Sequence, residues 1–220
     1  MRMLSRIARQ IRFAFAEKLD GYENPELVEV IFRKTKAFRP TEPWSEIDGA
    51  GTVLDFGGGC GIHYKMMQSP SVRWAVVETP AMVERASEIA TDNLRFFASI
   101  SDAAAWLGDI DVMHSSGALQ YARDPAGALR ELCSLDAKVM LWKRVALSDK
   151  PETEIQSSLL IHNGPGELRG VKNKSVSYPL TRISESLFLS CHARYRVETH
   201  REFILEDRRA DDFRFVLGQS

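Results

Sequence analysis

The sequence predicts an α/β protein built on a doubly wound, mostly parallel sheet, and three observations predict it. From Thr52 onward, short apolar runs alternate with helical stretches, the rhythm of strands joined by right-handed helical crossovers. A glycine-rich turn, Gly57-Gly58-Gly59-Cys60-Gly61, directly follows the first of those runs, where a nucleotide-type fold needs a tight backbone that a ligand can approach. The chain has 220 residues, of which 44% are hydrophobic and 27% charged, a composition that suits one globular domain.

Residues 1–48 read as a helical extension. Leu4, Ile7, Ala8, Ile11, Phe15 and Leu19 recur at helical spacing over Met3–Leu19, accompanied by Arg2, Arg6, Arg9, Arg12 and Lys18. A basic amphipathic helix of this kind either packs its apolar stripe on the domain or lies on an anionic membrane. Peripheral membrane contact through residues 2–19 is therefore one of two expectations. A second helix opens at Asn24-Pro25-Glu26. Asn24 can cap it, Pro25 suits the first turn and Glu26 favours the positive end. Leu27, Val30 and Ile31 share one face, and Pro40 and Pro43 end the helix.

Residues 49–220 form the main domain. Strands are expected at Thr52–Phe56, Arg73–Glu78, Leu94–Ser99, Asp111–Ser116 and Lys138–Val145, with helices over His63–Gln68, Pro80–Ala90 and Pro125–Leu135. After Leu147 the rhythm stops, and residues 148–180 read as a loop-rich insertion, a candidate lid. Ser184–His192 then reads as helix, and Tyr195–Phe203 and Phe213–Leu217 as two closing strands.

Composition narrows the function classes. Lys+Arg 29 against Asp+Glu 30 leaves a formal net charge of -1, so no global positive field exists to hold nucleic acid. No apolar run approaches the ~20 residues that span a bilayer. Cys60, Cys133 and Cys191 form no C-x-x-C pair, which argues against a disulfide framework and for a reducing, cytoplasmic setting, with the inner membrane surface as the place of any peripheral contact. A metal site is not expected, since there is no H-E-x-x-H and the acids are scattered; the G-x-S-x-G elbow and the phosphate loop are missing too.

The spacing of the glycine turn separates two cofactor classes. A dinucleotide fingerprint needs G-x-G-x-x-G. Counting from Gly57 the last position is Ile62, and counting from Gly59 it is Tyr64, so a dinucleotide-dependent nucleotide-sugar enzyme is disfavoured. What fits is an acid followed by G-x-G-x-G: Asp55, Gly57, Gly59 and Gly61. This resembles motif I of class I S-adenosylmethionine (SAM)-dependent methyltransferases. SAM carries an ammonium, a carboxylate and a ribose. Asp55 can face the ammonium directly or through water, the amides of the turn (Gly58 among them) can face the carboxylate, and Glu78, at the end of the second strand, can accept both ribose hydroxyls. Cys60 sits at a helix N-terminus, where a thiol pKa can fall; the preferred reading is that a small side chain fits there.

The strings LDFGGGCGIHY, WAVVETPAMVERA, HSSGALQYARDP and SYP are similar to a family of bacterial methyltransferases often encoded near surface-polysaccharide genes, over about Gly21 to Phe203. The resemblance implies a Rossmann-like class I methyltransferase fold with sheet order 3-2-1-4-5-7-6 and an antiparallel seventh strand. It also implies that Ile100 and Ser101 flank the adenine. Ligands in such sheets bind beyond the carboxyl ends of the strands, which assigns Ser115 to the cofactor and Ser116, Gln120 and Tyr121 to the acceptor; His162 can reach in from the insertion, and the resemblance implies polar site positions at Gln156, Arg144 and Tyr178. His63 is the candidate base, while His114 reads as a hydrogen-bonded core residue. Arg144, with Tyr178, completes the catalytic candidates, Arg144 as a clamp for a carboxylate or phosphate. The function expected is methyl transfer from SAM to a small or glycan-linked acceptor, as O-methylation of a sugar or nucleotide-sugar. The alternative is a non-catalytic module of the same fold in a polysaccharide-assembly or membrane complex.

Overall fold

The computed structural model describes residues 17–67, 71–171, 174–205 and 208–218. Its main sheet has seven strands. In chain order they are β2 (Thr52–Phe56), β3 (Arg73–Val77), β4 (Leu94–Phe97), β5 (Val112–Ser116), β6 (Val139–Val145), β10 (Tyr195–Leu205) and β11 (Arg208–Leu217). Their spatial order is β10-β11-β6-β5-β2-β3-β4. Numbered within this sheet alone, that is the expected 3-2-1-4-5-7-6. The five strands from β4 to β6 are parallel, and β11 runs antiparallel to both β6 and β10.

Alternation along the parallel strands divides the core into two layers, because successive side chains point to opposite faces. Leu54, Ala75, Met113, Met140 and Trp142 face one cluster, covered by α4 (Ile100–Leu107), α5 (Pro125–Cys133) and α6 (Glu185–Cys191). Val53, Trp74, Val76, Val112 and Leu141 face the other, covered by α1 (Pro25–Ala37) and α3 (Pro80–Ala86). The α1 start follows the sequence rule: the Asn24 side chain accepts from the amides of Glu26 and Leu27. Thr79 and Asp124 cap α3 and α5 in the same way, each followed by a proline. The short α2 (Ile62–Met66) follows the glycine turn.

Three elements differ from the sequence expectation. The helix expected over Met3–Leu19 gives way at Glu17–Asp20 to strand β1, which pairs in parallel with Lys174–Ser177. A tertiary partner here overrides local periodicity. The rest of that helix, and the membrane contact expected of residues 2–19, lie outside the described residues. The insertion 148–180 is not loop-rich: β8 (Glu152–Leu159) and β9 (Lys174–Ser184) pair antiparallel, and β7 (Leu147–Ser148) and β1 also join β9 in a second, four-stranded sheet. Its signal was the alternation Val176, Tyr178, Leu180, obscured by polar neighbours. Pro179, with no N–H to give, lies between the stretches of β9 that pair with β1 and β7. The third difference is α4, capped by Ser99, which turns Ile100 and Ser101 into the first residues of a helix. No helix among the described residues is long and apolar enough to cross a membrane.

One core residue carries a testable consequence. His192 is 2% exposed and lies flat on Phe215, ring centroids 4.0 Å apart. Trp142 Nε1–H donates to its Nε2 at 2.8 Å, and its Nδ1 lies 2.7 Å from the Phe188 carbonyl, so the neutral Nδ1–H tautomer satisfies both contacts. Burial pushes its pKa down to about 4, against the Phe188 hydrogen bond. A depressed pKa means stability is full above the unfolded value near 6.5 and is lost as pH falls toward 4. Urea unfolding between pH 7 and pH 4 is expected to show roughly 3 kcal/mol of acid loss from this residue. His192→Gln should show a shallower loss, and equal losses would remove His192 as the titrating group.

Candidate functional site

A cleft of about 900 Å³ opens where the parallel strands end and the second sheet folds over. Its floor is the glycine turn, its sides come from β3, β5 and β6, and part of its roof is β8 and β9. This is where open α/β sheets bind ligands, outside the carboxyl ends of the strands.

Gly57, Gly59 and Gly61 all have positive φ (72°, 58° and 79°), as a turn reversing directly after a strand requires. A Cβ at Gly57 would lie 2.0 Å from the Ala118 Cβ, and one at Gly58 would lie 2.2 Å from Asp55 Oδ2. At Gly59 the only neighbour within 4 Å among the described residues would be Ile31 Cγ2, at 3.7 Å. Gly57, Gly58 and Gly59 line the cleft, whereas Gly61 faces Leu94 and Phe96 and stays outside it. Within the turn the Gly57 amide goes to Val77 O and that of Gly61 to Gly58 O. Gly58 and Cys60 line the cleft, and their amides make no hydrogen bond among the described residues.

Glu78 leaves β3 into the cleft. One carboxylate oxygen accepts from the Gly59 amide and the other from the Thr79 amide, both at 2.9 Å. Burial raises its pKa, and those two hydrogen bonds oppose the rise. Each oxygen keeps a further lone pair, so the group is fixed in orientation and still able to accept a diol.

Asp55 does not reach the cleft. It is fully buried, and its two oxygens are taken by internal donors. His114 Nδ1 lies 2.8 Å from Oδ1; His63 Nδ1 and Trp74 Nε1 each lie 3.3 Å from Oδ2. Burial alone would raise the Asp55 pKa, but the two imidazoles outweigh it and hold the carboxyl well below its usual range. Burial likewise drives His114 toward its neutral form, against the pull of Asp55. The ligating atoms of Asp55, His63 and His114 all lie within 4.8 Å of one another, a grouping of metal-ligand types that no sequence spacing signalled. The carboxylate distances are those of hydrogen bonds, and the Trp74 donor completes an organic network. Trp44 packs over both histidines, at 5.2 and 4.7 Å between ring centroids.

His63, unlike Asp55, lines the cleft. With an ionised Asp55 accepting from Nδ1–H, its Nε2 carries the lone pair, and that atom has no hydrogen-bond partner among the described residues. Ser116, Gln120, Tyr121, Arg144, Gln156 and His162 also line the cleft, which brings all the acceptor candidates together. Tyr121 donates to Gln156 Oε1 at 2.8 Å. Burial, then the neighbouring Tyr178, pushes the Tyr121 phenol up to about 12.

Besides Asp55 and Gly61, four further sequence candidates fall outside the cleft lining. Tyr178 is buried behind the wall, its ring 4.6 Å from Tyr22 and 5.1 Å from Tyr121, so it supports the two tyrosines that line the cleft. Ser115 is buried in β5 outside the cleft lining, its hydroxyl without a partner among the described residues. Ile100 and Ser101 start α4 outside the lining, and Ala98 lines it in their place. The Cys60 thiol, buried against Met82, is pushed up to about 12, chiefly by burial, which makes it inert. Sequence reasoning missed Tyr22, Arg123, Arg182, Arg208 and Arg209, which also line the cleft; the pairing of β1, β8 and β9 that brings Tyr22 and Arg182 there is not a local pattern.

Neither a protein-family model nor a curated protein sequence matches the chain. Solved structures do. The sugar N-methyltransferase KedS8 from Streptoalloteichus sp ATCC 53650 is 20% identical over 88% of this chain and 87% of its own, with a TM-score of 0.52. The N-terminal domain of EvdMO1, solved in the presence of SAH and D-fucose, is 14% identical over 87% and 84%, with a TM-score of 0.50. DesVI of Streptomyces venezuelae is 15% identical over 88% and 93%, also at 0.50. Likeness at such identities is one of architecture, and with the strand order it gives this chain the Rossmann-like class I methyltransferase fold.

Proposed function

We propose that this protein is a SAM-dependent methyltransferase acting on a hydroxyl of a small, sugar-like acceptor. The observation that carries the reading is Glu78, held by two amides at the rim of a glycine turn whose Gly59 leaves an open approach. A carboxylate presented this way suits the adjacent hydroxyls of a ribose. The unspent amides of Gly58 and Cys60 supply donors for a carboxylate. The departure is Asp55, which its internal donors leave no oxygen in the cleft. Contact between this side chain and the cofactor ammonium therefore passes through His63 or water.

When bound, SAM supplies an activated methyl on its sulfonium, so the chain's task is chiefly to position the acceptor and exclude water. His63, which lines the cleft and has its Nδ1 held by Asp55, would take the proton of an acceptor hydroxyl in this reading. Tyr22 and Tyr121, their rings 5.5 Å apart, offer flat apolar faces beside hydroxyl groups, a surface suited to a sugar ring. Among the neighbours in fold, KedS8 is a sugar N-methyltransferase and the EvdMO1 domain was solved in the presence of SAH and D-fucose, which supports a sugar-like acceptor by analogy.

The test is calorimetric titration of the purified chain with SAM and S-adenosylhomocysteine (SAH). Binding of both in the micromolar range, about -8 kcal/mol, is expected. Absence of binding to either, from a folded sample, would overturn the cofactor reading.

A further inference from the structure

We infer that the acceptor carries an anionic group, a carboxylate or a phosphate, received by the Arg144 guanidinium; this rests on the methyltransferase reading and deepens it. The backbone around Arg144 is built to aim that side chain. The register of β6 against β11 slips between Asp211↔Val145 and Phe213↔Trp142, so the strand bulges at Lys143–Arg144. Arg144 takes φ 54° there, a left-handed conformation that costs a non-glycine residue roughly 1–2 kcal/mol. Asp212 Oδ1 accepts its amide at 2.8 Å and pins the bulge. The guanidinium then lies across Gly117, where a Cβ would come within 3.4 Å of three of its atoms.

What the guanidinium meets is neutral. Arg144 Nη2 donates to Ser116 O at 3.2 Å and Ser116 Oγ at 3.1 Å, and it pairs with no carboxylate among the described residues. The other arginines deeper in the cleft wall are neutralised. Arg182 pairs with Glu152 and Glu154, Arg208 with Glu154, and Arg209 with Glu185, Glu202 and Asp211. Arg123, exposed at the rim, likewise has no carboxylate partner among the described residues. Glu78 stands at the end of β3, three strands away from β6, roughly 14 Å at the usual strand spacing. The cofactor half and the Arg144 half of the cleft are thus separate.

A second, independent feature marks the same spot as a binding place. Gln120 is 7% exposed and lines the cleft. Its Nε2 donates to Arg144 O at 3.2 Å, which fixes the amide orientation, and its Oε1 is buried with no partner among the described residues. A buried acceptor left unpaired costs about 1–3 kcal/mol, and a ligand hydroxyl would satisfy it. Both residues line the cleft, and an acceptor atom awaiting a hydroxyl with a fork-shaped cation awaiting an oxyanion describes an acidic sugar or a sugar phosphate.

The experiment is calorimetry on the full chain, with and without saturating SAH, using D-glucuronate, glucose 1-phosphate and neutral D-glucose as probes. Wild type is expected to bind at least one of the anionic probes about tenfold more tightly than D-glucose; whether glucuronate or the phosphate leads distinguishes the two sources. Arg144→Gln should erase that preference while SAH affinity stays within about twofold, and Arg144→Lys, which keeps the charge without the fork, should retain part of it. Equal binding of charged and neutral probes, failure of all three to bind, or an unchanged preference in a folded Arg144→Gln would each overturn the inference. Failure of SAH alone, with anion preference intact in its absence, would count against the cofactor reading and leave this one standing.

Discussion

Gly59→Val is expected to yield a folded protein whose affinity for SAH falls by about 100-fold or more, close to 3 kcal/mol. The position is chosen by geometry. Side chains at Gly57 and Gly58 would collide with Ala118 and Asp55 inside the protein, so loss of binding there would not separate a damaged fold from a filled site. At Gly59 the first added carbon meets, among the described residues, only Ile31 Cγ2, at an ordinary contact distance of 3.7 Å, and because Gly59 lines the cleft the branches of valine add bulk there. The left-handed φ of 58° adds a strain of roughly 1–2 kcal/mol, which a domain of ordinary stability, about 5–15 kcal/mol, can absorb. Gly59→Asn controls for that strain, because asparagine tolerates the left-handed region while still filling space. Both variants are expected to lose SAH in calorimetry while keeping a cooperative thermal unfolding transition. Undiminished SAH binding by either would show that the cofactor lies elsewhere.

The parts of the fold that could be read from sequence are those specified locally. The strands β2 to β6 announce themselves as short apolar runs, and the helix starts at Asn24-Pro25 and Asp124-Pro125 carry their caps with them. The glycine turn is legible for the same reason, since its spacing is a property of five consecutive residues. What was hidden depends on register. Asp55 and His114 sit directly opposite each other on neighbouring parallel strands, β2 and β5, a juxtaposition 59 residues apart in the chain. That pairing, with His63 arriving from α2, turns the motif's acid inward instead of toward the cleft. The bulge that aims Arg144 is equally non-local, because it exists only where β11 pairs with β6. Strand β8 escaped notice because Glu152, Thr153 and Glu154 give it a loop-like composition, and only its partner β9 makes it a strand.

Asp55→Ala is expected to destabilise the protein by about 3–5 kcal/mol in urea unfolding at pH 7, the cost of removing one partner from a buried charged network. The carboxylate is the shared acceptor for His114, His63 and Trp74, and the partner least able to turn to water is His114, 1% exposed. The pH dependence gives the result its signature. Asp55 is held below its ordinary range in the folded state, so its contribution is complete above the unfolded value near 3.9 and fades as pH falls below that toward the folded one. The gap between wild type and Asp55→Ala should therefore be constant from pH 7 to about pH 5 and narrow at lower pH. His114, also depressed, makes wild type lose stability as pH drops below about 6.5. Because burial is the chief cause, that loss should persist in the variant. Asp55→Asn keeps the shape and one acceptor oxygen, and should fall between the two. A cost under about 1 kcal/mol, the range of surface pairs, would mean that the imidazoles find other partners. His63 would then lack the fixed Nδ1 contact on which its proposed role depends.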